Sequence, residues 1–148
     1  MTLYSQRDPR WRAVEIGDTK RTLGQVGCVV TSIAMLCSYF KPDRTPPELL
    51  KKLIFTPDAR LIWQSCNFEN FKFHRRIYQR NDENIRLALT DPKWAVILEV
   101  ADKTHWVVVT GVTLFKKTYK IADPLFGDRA TMNRYQNNIT GAAFFKKK

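Results

Sequence analysis

The sequence predicts an α+β domain, with helices in the first two thirds of the chain and an antiparallel sheet in the last third. Two observations support this prediction. Apolar residues recur at helical spacing after Gly27, whereas the last third contains three β-rich apolar runs. The connections between these runs are short, which favours adjacent antiparallel strands. At 148 residues, we expect one domain spanning residues 1–148.

Local signals indicate the first two helices. One is predicted to begin near Gly27, to carry an apolar face over residues 30–37, and to end before Lys41-Pro42, because the residue before proline avoids the helical region. Thr45 and Glu48 form a capping-box pattern that starts a second helix. The buried face of this second helix is predicted to comprise Leu49, Leu50, Leu53 and Ile54.

The remaining elements are assigned in chain order. Residues 1–26 contain turn signals and are predicted to be irregular. We expect a short helical stretch over residues 60–66, a strand over 71–78, and a helix that Asn81 caps and that ends at Leu89. The three β-rich runs cover residues 94–100, 106–110 and 119–123. The terminal lysines, residues 146–148, are predicted to fray.

The charge of the chain indicates an anionic partner. Lys and Arg number 25 against 14 Asp and Glu, which gives a net charge of +11. Nucleic acid, an anionic membrane surface and bacterial cell wall all fit such an excess. No segment has the roughly 20 apolar residues of a membrane span, and the N-terminus has no signal-peptide core. We therefore expect a cytoplasmic protein, unless it is released or carried out within a phage particle or a larger protein.

The cysteines and histidines argue against a disulfide framework and against zinc. Three cysteines at long spacing suit a reducing compartment, and two histidines without a CxxC pair predict no metal site and no other cofactor. Cys28 differs from the other two because it stands where a helix is predicted to begin, and a helix N-terminus stabilises a thiolate. Cys37 and Cys66 are interpreted as structural.

A base and a carboxylate can be assigned to Cys28. His105 precedes a predicted strand, and a hairpin that turns near residues 114–117 would return Asp123 to roughly the level of His105. Carboxylate to imidazole and imidazole to thiol is the arrangement of a nucleophilic triad. The length of the turn decides which faces the two residues occupy, so the pattern alone leaves this point open.

The chain resembles the C39-like cysteine peptidases, a branch of the papain-like fold, in an ordered set of motifs. The motifs are Gln6 to Trp11, Gly27-Cys28 with Thr31 to Met35, Thr45 to Leu49, Leu61 to Trp63, His105 to Gly111 and Ile121 to Gly127. The family form fused to peptide exporters carries Asp-Cys-Gly at the nucleophile, whereas this chain has Gly27-Cys28-Val29. The form with an N-terminal Q-x-D-x-R-W element, which Gln6 to Trp11 match, resembles stand-alone or modular proteins of bacteria and phages.

The resemblance implies a peptidase with the catalytic triad Cys28, His105 and Asp123. An oxyanion hole would use the Cys28 amide and a glutamine, for which Gln6 matches the family motif and Gln25 is the alternative. Peptide or isopeptide bonds, including those of peptidoglycan in a lysin-type activity, are the implied substrates. An acyl transferase would use the same residues. A catalytically inert basic module that binds nucleic acid or cell wall on the same fold is the alternative.

Overall fold

The computed structural model describes the backbone of residues 1–148 and every side chain except that of Lys116. The helices are α1 (Leu23–Val26), α2 (Cys28–Phe40), α3 (Pro46–Leu50) and α4 (Asp82–Leu89). The strands are β1 (Phe71–Ile77), β2 (Trp94–Val100), β3 (His105–Val112), β4 (Tyr119–Asp123), β5 (Asp128–Thr131) and β6 (Ile139–Lys147). Short 3₁₀ turns cover Trp63–Ser65, Leu114–Lys116 and Met132–Tyr135.

All six strands form one antiparallel sheet, in the order β1-β6-β2-β3-β4-β5. The α+β prediction is confirmed. The last strand of the chain lies between β1 and β2, so it pairs along both of its edges. The hairpin of β3 and β4 pairs Val108 with Ala122 and turns at residues 113–118, as the spacing predicts.

Helix α2 is the central helix and packs on one face of the sheet, chiefly against β3. Ten of its 13 residues are buried, which is why its sequence is apolar around most of its circumference. Together with the inward residues of the sheet it forms one apolar layer. A second layer on the opposite face packs the sheet against α4 and Met132. No helix in the described part of the chain has the length and apolar character that crossing a bilayer requires.

Both predicted helix caps are present. The Thr45 side chain and the Glu48 carboxylate form the capping box of α3, and the Asn81 side chain accepts a hydrogen bond from the Asn84 amide at the start of α4. The predicted extent of α3 is wrong, because the helix ends at Leu50. Ile54 is 59% exposed rather than buried, since its backbone pairs instead with Ile62 and Ser65.

Three further predictions differ from the structure. Only Trp63–Ser65 is helical within residues 60–66, because Leu61 pairs with Phe55 as an isolated β-bridge. Residues 146 and 147 are not frayed, since they are the last residues of β6 and pair with β1. Residues 1–26 are not wholly irregular, since Leu23–Val26 form α1. Strands β5 and β6 were not predicted. Strand β5 is a short polar edge strand whose sequence, Asp-Arg-Ala-Thr, lacks apolar alternation.

Candidate active site

A groove of about 700 Å³ lies between the start of α2 and the turn that joins β2 to β3. Cys28, His105 and Gln6 line it, together with the candidate Gln25. Asp123 lies behind this surface and is fully buried. The fold thus brings these residues together around one groove, although Gln6 and Asp123 are 117 positions apart in the sequence.

Cys28 is the first residue of α2 and is half-buried. The first amides of a helix have no acceptor within the helix, so they present N–H groups and the positive end of the dipole at this position. Gly27 separates α1 from α2 at this point. A Cβ on Gly27 would lie 2.4 Å from the Leu23 carbonyl oxygen, so only glycine allows the two helices to meet so closely.

His105 begins β3 and Asp123 ends β4, which places the two side chains side by side. The Nε2 atom of His105 lies 2.9 Å from Oδ1 of Asp123. Both side chains are buried, with exposures of 8% and 0%. Nε2 faces the carboxylate, which leaves Nδ1 free of that contact, and the Cys28 thiol is near enough to the imidazole to raise the pKa of His105.

The surroundings of the imidazole favour its charged form. Burial opposes protonation of His105, but the hydrogen bond with Asp123 and the interaction with Cys28 outweigh it and raise the pKa of His105 to about 9. Burial likewise opposes ionisation of Asp123. Hydrogen bonds from His105, Tyr135 and Arg134 outweigh that effect and lower the pKa of Asp123 to about 2. Both shifts favour an imidazolium facing a carboxylate.

Two residues that the sequence analysis missed hold the Asp123 carboxylate. Oδ2 accepts a hydrogen bond from Nη1 of Arg134 at 2.9 Å and one from the Tyr135 hydroxyl at 2.5 Å, while Oδ1 also accepts one from the Leu125 amide at 3.0 Å. Arg134 is itself fixed by two hydrogen bonds to Asp128. No local sequence signal identifies these donors. The 3₁₀ turn that carries Arg134 and Tyr135 follows β5, so it comes close to Asp123 only when β5 pairs with β4.

The two glutamines that were considered for an oxyanion hole have different environments. Gln6 is 3% exposed. Its backbone amide donates a hydrogen bond to the Pro124 carbonyl, and its side-chain Nε2 donates one to the Gly24 carbonyl at 3.2 Å. Nε2 carries a second hydrogen, and Oε1 is buried without a partner. Gln25 is exposed, and its Oε1 accepts from the Thr22 amide in the capping box of α1.

The other two cysteines have environments unlike that of Cys28. Cys37 and Cys66 are each 1% exposed and belong to the apolar core. Burial raises the pKa of both thiols to about 12, which keeps them protonated and unreactive at neutral pH. The structure thus agrees with the interpretation of these two residues as structural.

Strand β1 carries the basic residues Lys72, His74, Arg75 and Arg76, of which Arg76 is neutralised in the groove. Nη2 of Arg76 lies 2.7 Å from Oε2 of the buried Glu99, and its guanidinium stacks over the rings of Trp63 and Trp106. Arg80, just beyond the strand, pairs with Asp82. In the described part of the chain, no group of three His, Cys, Asp or Glu side chains is arranged to hold a metal ion.

The chain matches a known protein family. The model described as the Peptidase C39 family matches residues 21–140 and so covers Cys28, His105 and Asp123. No curated protein and no solved structure matches the chain.

Proposed function

Since the chain belongs to the peptidase C39 family, which suggests a cysteine peptidase, we propose that it hydrolyses amide bonds. In this proposal Cys28, His105 and Asp123 form the catalytic triad. The single observation that carries the proposal is the buried His105–Asp123 hydrogen bond beside the thiol at the start of α2. A buried carboxylate that orients an imidazole toward a nucleophile is the recurring arrangement of acyl-transfer enzymes.

The proposed reaction uses the groups in a fixed order. The Cys28 thiolate attacks the substrate carbonyl carbon while His105, as imidazolium, remains hydrogen-bonded to Asp123. The oxyanion that forms accepts hydrogen bonds from the Cys28 amide and from the second hydrogen on Nε2 of Gln6. His105 then donates its proton to the leaving amine, and the C–N bond breaks to give a thioester on Cys28.

Hydrolysis completes the cycle. Neutral His105 removes a proton from a water molecule that attacks the thioester carbonyl, and the C–S bond breaks to release a carboxylic acid. Asp123 keeps its charge throughout and holds the ring in orientation. Gln6 is preferred to Gln25 because it is buried and fixed between Gly24 and Pro124, which preorganises its donor.

We also propose that residues 1–148 act as one peptidase domain. The family match begins after Gln6, yet the backbone of Gln6 is bonded to the segment that follows Asp123. The match ends within β6, yet β6 pairs with β2 as far as Lys146. The proposed oxyanion donor and the middle of the sheet would therefore be incomplete without the flanking residues.

The macromolecular substrate that we propose is the peptide part of bacterial cell wall, cut at peptide or isopeptide bonds in a bacterial or phage lysin-type activity. The net charge of +11 supports it, because wall material is anionic in many bacteria. Zymography on purified cell walls tests this substrate. Clearing by the wild type but not by Cys28→Ala is expected. Digestion of unrelated peptides without clearing of the wall would contradict it.

Selective alkylation and mutation test the nucleophile. We expect iodoacetamide near neutral pH to modify Cys28 much faster than Cys37 or Cys66, as followed by peptide mass spectrometry. The Cys28→Ala variant should fold normally and lose all turnover of a cleavable peptide, whereas Cys66→Ala, a control on a buried thiol, should retain it. Turnover by Cys28→Ala, or equal alkylation of all three thiols, would refute the assignment. Product analysis with an added amine distinguishes hydrolysis from acyl transfer.

A further inference from the structure

The candidate groove has an excess of positive charge that its own acids do not neutralise. Its lining contains the basic side chains Arg7, Arg21, Arg60, Arg76 and Lys103 and the acidic side chains Asp58 and Glu99. Arg60 pairs with Asp58 at 2.9 Å, and Arg76 pairs with Glu99 at 2.7 Å. Among the described residues, no carboxylate lies within ion-pair distance of Arg7, Arg21 or Lys103. These three cations therefore set the charge of the groove.

The three cations come from separate segments and converge on the reactive residues. Arg7 follows Gln6, and Arg21 precedes the short helix α1 that leads to Cys28. Lys103 lies two residues before His105, in the turn between β2 and β3. All three are exposed residues that also line the groove, so an incoming ligand can reach them.

The turn that carries Lys103 has an unusual backbone. Ala101, Asp102 and Lys103 have φ angles of 51°, 51° and 69°, a region that residues with a Cβ seldom adopt. Backbone strain of this kind concentrates at functional sites. Asn138 holds the turn, because its Oδ1 accepts a hydrogen bond from the Asp102 amide and its Nδ2 donates one to the Asp102 carboxylate. The strained turn presents Lys103 beside His105.

We propose that the groove selects peptides with Asp or Glu within a few residues of the bond that is cut, and that Arg7, Arg21 and Lys103 bind those carboxylates. The proposal rests on the peptidase activity proposed above. Trp63 and Leu61 add apolar surface to the same groove, which suits the remaining side chains of a peptide. The cations surround a half-buried thiol inside a concave site rather than forming an extended strip, which favours a peptide over a nucleic acid.

Matched peptides test the selectivity in two ways. First, a peptide library is digested with the wild type, and the cleaved sequences are resynthesised with every Asp and Glu replaced by Asn and Gln. We expect kcat/KM to be about tenfold higher for the acidic forms, the size that three exposed ion pairs together can provide. The preference should fall toward unity at 1 M salt, where the screening length is about 3 Å.

Second, binding is measured without cleavage. The Cys28→Ala variant is titrated with a fluorescein-labelled peptide of eight Glu residues and with its Gln counterpart, and anisotropy is recorded. Tighter binding of the Glu peptide by about tenfold is expected. The Arg7→Gln, Arg21→Gln and Lys103→Gln substitutions, combined in this background, should abolish the difference. Combined Lys51→Gln, Lys72→Gln and Lys147→Gln, which remove equal charge outside the groove, should preserve it.

The outcomes separate this inference from the proposed peptidase. Cleavage of acidic and neutral peptides at equal kcat/KM would overturn the selectivity and leave the peptidase intact. Failure of the wild type to cleave any peptide would overturn the peptidase, and the anisotropy titration would then decide the selectivity alone. Equal loss of Glu-peptide binding in the two triple variants would overturn the role of the three residues, as would displacement of the peptide by a lower concentration of single-stranded oligonucleotide.

Discussion

Replacing Tyr135 with phenylalanine removes one hydrogen bond from the Asp123 carboxylate and leaves the ring in its position. The hydroxyl donates to Oδ2 of Asp123 at 2.5 Å, and the ring centroid lies 5.4 Å from that of His105. The carboxylate keeps three donors, namely His105, Arg134 and the Leu125 amide. The substitution therefore loosens the carboxylate without leaving it unpaired.

The expected loss of stability follows from the strength of the Tyr135–Asp123 hydrogen bond and from the pKa of Asp123. A hydrogen bond to a charged group contributes about 1.5 kcal/mol or more. In a chain of this length that loss lowers Tm by roughly 3–6 °C. The pKa of Asp123 is about 2, below its ordinary 3.8. Its bonds therefore stabilise the fold fully above pH 4 and progressively lose that effect as pH falls toward 2, so the stability difference between wild type and variant should shrink over this interval.

Activity should fall with stability at neutral pH, because Asp123 orients His105. If the lost bond weakens that orientation by a similar free energy, kcat/KM falls by about tenfold. Tyr119→Phe is the matched control, since the Tyr119 hydroxyl donates at 2.6 Å to Asp82, at the start of α4, rather than to Asp123. It should lower Tm by a comparable amount and leave kcat/KM within about twofold of wild type.

The assays are thermal unfolding followed by circular dichroism from pH 2 to 7 and steady-state cleavage of a fluorogenic peptide at pH 7. The reasoning fails if Tyr135→Phe and Tyr119→Phe change kcat/KM equally, because the effect would then be one of general stability. It also fails if Tyr135→Phe keeps full activity while its Tm falls, because the hydroxyl would then support only the fold.

Two further predictions concern Gly27 and the pH profile. Gly27→Ala should destabilise the protein by roughly 1–3 kcal/mol and reduce kcat, because its Cβ would lie 2.4 Å from the Leu23 carbonyl oxygen. Gly111→Ala is the control, since its Cβ would meet only the Lys120 side chain at 3.8 Å, and it should change kcat by less than about twofold. Denaturant titration and kinetics of both variants check this, and equal effects would contradict it. The basic limb of the kcat/KM profile should have an apparent pKa of about 9, because His105 stays protonated up to that pH. The contribution of protonated His105 to the stability of the fold should be present below pH 6.5 and lost as pH rises through 9. A basic limb near pH 6.5 would contradict this prediction.

Much of the fold could be predicted where local chemistry decides it. Thr45 with Glu48 and Asn81 supply their own caps, so these helix starts are visible in the sequence. The strands rich in valine and isoleucine in the last third are equally visible. Strand β6 was not predicted, and the lysines at its end were interpreted as a frayed terminus. Its length follows from pairing with β1 and β2, which are distant in sequence.

Part of the candidate site could likewise be predicted from the sequence, and part could not. Cys28, His105 and Asp123 could be proposed because each lies at the end of an element and the β3–β4 hairpin makes the last two neighbours. The support of Asp123 by Arg134 and Tyr135 could not be proposed, since it depends on a 3₁₀ turn after an edge strand that sequence periodicity does not reveal. Arg7 and Lys103 likewise share a groove only after the chain has folded.

The position of β6 in the sheet has a consequence for biosynthesis. A chain made from its N-terminus can join β2, β3, β4 and β5 in sequence, but β1 has no neighbour until residues 139–147 emerge. Until then the apolar edge of β2 stays open to other chains. The sheet therefore stays incomplete until β6 has been made and has closed the gap between β1 and β2.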